Sequence, residues 1–182
     1  MKKLVLVFAL AFASVGALAQ MQKAPIVGGA VMSPFQNIVQ NTSNSQDHTT
    51  LVAAVKAAGL VETLSSSGPF TVFAPTNVAF DNLPVGTVEK LVKPESKEVL
   101  SRILTYHVVA GTLNAADILA MIKAGNGVAV LTTVQGQKLS VSLKGSNVLL
   151  TDAKGGTSMV TIADVVQSNG IIHVIDSVLL PN

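Results

Sequence analysis

The 182-residue chain has no cysteine and no tryptophan, one tyrosine, one arginine, and only 12% charged residues. Without cysteine there are no disulfides to hold the fold, no thiolate nucleophile, no thiolate metal site and no cysteine for a lipid anchor. With Arg102 as the sole arginine, the chain lacks the clustered basic surface that a polyanion requires. The aromatics, 4% of the residues, are too scattered to form a base-stacking platform, so nucleic acid drops out as a partner. No apolar run reaches the roughly 20 residues needed to span a bilayer.

Hydrophobic residues make up 49% of the chain, which describes one compact domain. Lys2 and Lys3, the apolar stretch Leu4 to Val15, and Ala17 and Ala19 around Leu18 have the form of a secretory signal peptide over residues 1–19. Cleavage near Ala19 predicts a secreted product, extracellular or periplasmic, with no transmembrane anchor. Removing those 19 residues and their two lysines from 182 residues and 12 basic side chains leaves 163 and 10, against 10 acidic side chains. The mature chain is therefore near neutral, and little net repulsion opposes self-association. A chain of that length can bury roughly 70% of its unfolded surface, enough for a core without staples.

Residues 20–34, with Gly28-Gly29, Pro25 and Pro34, show no sustained period and read as a flexible leader before a single domain at 35–182. Asn41-Thr42-Ser43 fits a glycosylation acceptor, a motif short enough to arise by chance in a polar segment. Leu51, Val55 and Ala58 recur at helical intervals and Gly59 suits a stop. A second helix follows Pro94, carries Leu100, Ile103 and Leu104, and leads into Tyr106-His107. A third starts at Asn114 and runs through Ile118 and Ile122 to Gly125. Leu139, Val141 and Leu143 alternate with polar residues, as in a strand with one wet face. Turns at Gly145-Ser146 and Gly155-Gly156 predict strands at 147–151 and 157–166, and a last strand spans 171–180. Helices gathered before a meander of strands define an α+β fold and argue against a doubly wound parallel sheet.

Two stretches are more specific. Gly68-Pro69-Phe70-Thr71-Val72-Phe73-Ala74-Pro75-Thr76-Asn77-Val78-Ala79-Phe80 is followed about 90 residues later by Asn169-Gly170-Ile171-Ile172-His173-Val174-Ile175-Asp176-Ser177-Val178-Leu179-Leu180-Pro181, with Tyr106-His107 between them. In order, spacing and content these resemble the two signature boxes and the tyrosine–histidine pair of a fasciclin domain. The resemblance implies a wedge of two β-sheets with a layer of short α-helices. It also implies a secreted or surface-held protein of cell adhesion and matrix attachment, without catalytic apparatus or cofactor. Single-domain members of this kind occur in bacteria, and the short signal peptide is compatible with such a source.

The boxes also make sense as architecture. Phe70, Val72 and Ala74 alternate with Thr71 and Phe73, and Pro75, lacking an N–H, ends the ladder. Thr76 or Asn77 can cap a short helix that delivers Phe80 to the core. The second box cannot keep one alternation, which predicts a bulge or burial on both faces.

Four residues stand out as candidate adhesion or binding residues: Tyr106, His107, Asp117 and Ile118. Among apolar neighbours, Tyr106 and His107 also read as a buried polar pair, the imidazole bonding backbone or a side chain such as Asn77. On that reading His107→Ala costs about 1–3 kcal/mol of stability. Asp117-Ile118 resembles a short integrin-recognition motif of animal fasciclin proteins. Asn114-Ala115-Ala116-Asp117 equally reads as a helix cap, and Ala115-Ala116 stand where that motif often has a charged residue or proline.

No nucleophile elbow or phosphate loop appears, and Gly125-Asn126-Gly127 has Val130 in place of the third glycine of a dinucleotide loop. His48, His107 and His173 lie about 60 residues apart, without zinc-ligand spacing. No metal or cofactor is expected, and a hydrolase is the least supported class. The favoured expectation is a non-enzymatic adhesion or matrix-interaction domain. Its partner would be a cell-surface or matrix protein, a polysaccharide or a second copy of the chain. The alternative is an extracellular glycan or small-ligand binding module, which would need exposed aromatic side chains in a concave patch.

Overall fold

A computed structural model describes residues 24–182; the signal-peptide reading over 1–19 lies outside the described residues. The sequence expectation of a free leader at 20–34 does not describe the part that is seen. Strands β1 (Ile26–Val27) and β2 (Ala30–Val31) form a hairpin whose Val27, with Met32 just beyond it, is buried in the core. The segment is too short and irregular for a periodicity signal, yet two apolar side chains suffice to dock it.

A helical layer follows: α1 (Ile38–Asn44), α2 (Thr49–Ala58) and α3 (Val61–Ser65), then, after strand β3 (Phe70–Pro75), α4 (Asn77–Asp81), α5 (Thr87–Leu91) and α6 (Lys97–Tyr106). Helix α1 starts with a capping box between Asn37 and Gln40, and α2 ends at Gly59, whose φ of 72° supplies the left-handed stop. Thr76, not Asn77, caps α4 by accepting from Ala79 N–H. Asn77 is used differently. Its Oδ1 accepts from Thr50 N–H and Thr49 Oγ1, and its Nδ2 donates to the Gln46 carbonyl, so the first box stitches the start of α2 to the sheet.

The remaining elements are β4 (Val108–Ala110), α7 (Ala115–Ala124), β5 (Val128–Thr132), β6 (Lys138–Lys144), β7 (Asn147–Thr151), β8 (Thr157–Gln167) and β9 (Gly170–Ile175). Seven strands order as β4-β3-β9-β8-β7-β6-β5. The long strand β8 serves two leaves: its start pairs with β7, and beyond Val160 it pairs with β9 across register shifts at Val160/Ile162 and Ile162/Val165. These irregularities let one ribbon fold into the two faces of a wedge. A bridge between Val109 and Thr133 brings the two ends of the ribbon together, so the sheet is nearly a barrel. The α+β expectation is met.

The two signature boxes are neighbours in space. β3 and β9 pair in parallel from Phe70↔Gly170 to Pro75↔Ile175, and both are buried on both faces. Val72, Ala74, Ile172 and Val174 face a core shared with α1, α2 and α6. Phe73 and Ile175 face a second core inside the barrel, with Tyr106, Ile118, Leu139, Val141 and Leu150. The second box thus has dense two-sided burial, and the bulge lies in β8. Gly170 is required where the boxes meet: its φ is 156°, and a Cβ there would lie 1.9 Å from the Phe70 carbonyl oxygen.

One strand is shorter than expected. β9 ends at Ile175, and residues 177–182 form no ladder. Instead this terminal strap crosses the end of the barrel with Leu179 fully buried in the second core.

Candidate functional site

Helix α6 is amphipathic, with Leu100, Ile103, Leu104 and Tyr106 buried, and it delivers Tyr106 and His107 to the junction with β4. Tyr106 has no exposed surface and His107 is 2% exposed. The Tyr106 hydroxyl donates to the Lys138 carbonyl at 2.9 Å and accepts from Ala153 N–H at 3.0 Å, tying α6 to the start of β6 and to the β7–β8 turn. Burial, more than the neighbouring Asp152, pushes its phenol above the usual value.

His107 Nδ1 lies 2.8 Å from the Ile103 carbonyl, a contact in which the ring must donate, and Nε2 accepts from Leu179 N–H at 2.9 Å. The imidazole is therefore a neutral bridge between a helix end and the terminal strap, not a partner of Asn77. Complete burial brings its pKa down to about 4, against smaller opposing effects of the Ile103 carbonyl and Asp152. The other two histidines are similarly enclosed. His173 stacks on Phe73 and is bonded through Nε2 to the Leu113 carbonyl at 2.8 Å, and His48 Nδ1 is 2.9 Å from Ser45 Oγ. Both are held below the usual imidazole value, chiefly by burial.

Asp117 and Ile118 are adjacent and point opposite ways. Asp117 is exposed and closes a capping box: its N–H donates to Asn114 Oδ1 at 2.9 Å, and its Oδ2 accepts from Asn114 N–H at 3.1 Å. Ile118 is 1% exposed inside the barrel core. A second carboxylate, unforeseen in the sequence, completes this helix start. Asp164 sits in the β8 bulge with φ 59° and accepts from Ala115 N–H at 2.7 Å. Nothing local in the sequence marks Asp164, because its partner is a backbone group 49 residues away.

The four candidates thus divide into three enclosed side chains and one surface carboxylate. The glycosylation-like Asn41 is also enclosed: its side chain bonds Ser33 N–H, the Ser33 carbonyl and Gln167, so it holds the first helix rather than a glycan. Among the described residues no three His, Asp or Glu side chains come together as a metal site, and no helix is long and apolar enough to cross a membrane. An apolar cavity of about 30 Å³ lies between α1, α2 and β3, lined by Ile38, Leu51, Val55, Val72 and Leu104, with His107 in its wall. That is far below the roughly 300 Å³ of a small-molecule pocket; the larger depressions, of about 440 and 480 Å³, are shallow and open to solvent, beside Ser101 and Thr105 and beside Lys138 and Thr151.

Comparison with known proteins agrees with this architecture. The fasciclin domain profile matches residues 46–181, and the chain belongs to the fasciclin domain family. It is 45% identical over 177 residues to Protein sll1483 of Synechocystis sp., covering 96% of this chain and 91% of that one. It is 38% identical over 148 residues to the transforming growth factor-beta-induced protein ig-h3 of Sus scrofa, covering 81% of this chain but 20% of the relative. A solved pair of FAS1 domains from the insect cell adhesion molecule Fasciclin I superposes with a TM-score of 0.72 at 19% identity, over 81% of this chain and 51% of that chain. The match to that structure concerns the fold.

Proposed function

We propose that this chain is a secreted, non-enzymatic adhesion or matrix-interaction domain that works by surface contact with a cell-surface or matrix protein or polysaccharide, a second copy of itself included. Family membership supports the class, and the observation that carries the mode of action is where the polar chemistry goes. Tyr106, His107 and His173 are enclosed and committed to backbone groups of their own fold, which leaves the exterior to act. A glycan module gains little support, because Phe73, Phe80 and Tyr106 are buried and, among the described residues, Phe35 is the only aromatic that stands fully in solvent. Export rests on the residue pattern at 1–19.

Of the four candidates Asp117 alone is exposed, which supports it as the contact residue to test. The test is attachment of source cells to a surface coated with residues 20–182, comparing wild type with Asp117→Ala and following melting in parallel. Attachment by wild type, reduced several-fold in Asp117→Ala with the fold intact, supports a contact at the start of α7. Attachment unchanged by Asp117→Ala moves the contact elsewhere on the exterior. Wild type that promotes no attachment, or that turns over a substrate, overturns the reading.

A further inference from the structure

The terminal strap is bound in an unusual way. A strand satisfies its backbone through a ladder, but here the N–H groups of residues 177, 179, 180 and 182 donate to side chains from four separate places. Ser177 N–H donates to Ser158 Oγ at 3.1 Å, Leu179 N–H to His107 Nε2 at 2.9 Å, Leu180 N–H to Asp152 Oδ2 at 2.9 Å, and Asn182 N–H to Gln137 Oε1 at 3.0 Å. Arg102 Nη2 adds a bond to the Asn182 carbonyl at 3.1 Å.

Of the four acceptors, His107 is the one whose bond inverts with a proton. Because Nδ1 already donates to the Ile103 carbonyl, the lone pair on Nε2 is the only group the ring can offer Leu179. A proton on Nε2 sets one N–H against another in a buried site. The ring cannot turn over to escape, since Ile103 would then lose its donor. We propose that residues 177–182 form an acid-released latch: they are held shut by the unprotonated His107 ring and swing away from the barrel when that ring takes up a proton.

The surroundings of the ring are consistent with this. From the β7–β8 turn Asp152 favours the proton, while Lys56 of α2 lines the same small cavity, and Arg102 and Lys154 flank the strap near Leu180 and Asn182. β3 and β4 present only apolar side chains at that cavity, through Val72, Phe73 and Val108. Opening is local, because a segment held by side chains and not by a ladder can detach while β3 and β9 stay paired. Release withdraws Leu179 from the barrel core and opens the end beneath which Tyr106 and His107 lie.

The size of the effect follows from linkage. A ring with a pKa of about 4 when latched and the ordinary imidazole value of 6.5 when free makes the open fraction rise about 60-fold between pH 7 and pH 4.5. The measurement is residue-resolved amide exchange across that range, each rate divided by its intrinsic chemical rate, with far-UV circular dichroism and the His107 ring titration followed in the same samples. Leu179 and Leu180 should lose about 60-fold in protection, the loss setting in below pH 6.5 as linkage to His107 requires, and at every pH they should exchange faster than the β3 and β9 amides. Strap protection equal to that of the β3 and β9 amides across the range would overturn the latch, as would a loss that does not follow the His107 titration. In His107→Gln, which carries no titrating ring, the strap's profile should be flat from pH 7 to 4.5. A pH-dependent release that persists there would place the trigger elsewhere and overturn the proposal. If that variant does not fold, the wild-type agreement or disagreement between ring titration and strap protection decides alone.

Discussion

The end of α6 and the start of α7 carry the two most conspicuous polar motifs of the chain and use them in opposite ways. At the end of α6, Tyr106 and His107 are buried and, besides the Ile103 carbonyl one turn back, hold partners 32 to 72 residues away in sequence. At the start of α7, Asn114 and Asp117 satisfy each other within four residues, in solvent reach, helped by Asp164. The first arrangement is expensive to disturb, because losing one side chain orphans groups that water cannot reach. The second is cheap, because water replaces what is lost. A conspicuous motif therefore points to a demanding backbone position, and exposure decides whether anything remains for a partner.

The sharpest way to break this contrast is to remove the imidazole. His107→Ala leaves the Ile103 carbonyl and the Leu179 N–H without partners and opens a cavity beside the barrel core, with an expected loss of about 4 kcal/mol. Denaturant unfolding measures it. A loss under about 1 kcal/mol would mean that the two orphaned groups find water, and that the junction is far less enclosed than its contacts indicate.

Acid probes the same junction without mutation. The three buried histidines all have folded-state pKa values below the unfolded value of 6.5, so below that pH the unfolded chain binds more protons than the folded one. The stabilisation is complete above about pH 6.5 and is lost as pH falls toward about 4, where His107 itself titrates. His107 alone accounts for about 3 kcal/mol across that window. Urea midpoints should be flat above pH 7 and fall steadily below 6.5. A midpoint independent of pH down to 4.5 would show that these rings are not held neutral by burial.

These energies also explain how much of the molecule was legible in its sequence. Helices α2, α6 and α7, strands β6 to β8 and the two boxes announced themselves, because apolar periodicity, a stop glycine and cap residues are written in side chains. The capping role of Asp117 was equally legible, since both partners lie within four residues. The partner of His107 was not: Leu179 contributes a backbone N–H, and every non-proline residue carries one. Asp164 and the docked hairpin at Ile26–Val31 escaped for the same reason, being specified by where the chain arrives in space. The expected last strand ran too far because Val178, Leu179 and Leu180 look like strand residues, whereas the N–H groups of Leu179 and Leu180 are taken by side chains and not by a neighbouring strand.

The smallest effect is the one that separates architecture from contact. Asp117→Ala removes one half of an exposed capping box, while Asn114 still accepts from the third helical N–H and Asp164 still accepts from Ala115, so the expected loss is about 0.5–1 kcal/mol. Its neighbour Ile118→Ala, in the barrel core, should lose about 3 kcal/mol. Measured side by side by thermal unfolding, the pair tests whether adjacent residues divide between surface and core as the geometry requires. Near-equal losses would break that division and return Asp117 to the fold. A small loss for Asp117 leaves its carboxylate available to a partner, so that any fall in cell attachment in the same variant belongs to a lost contact and not to a loosened domain.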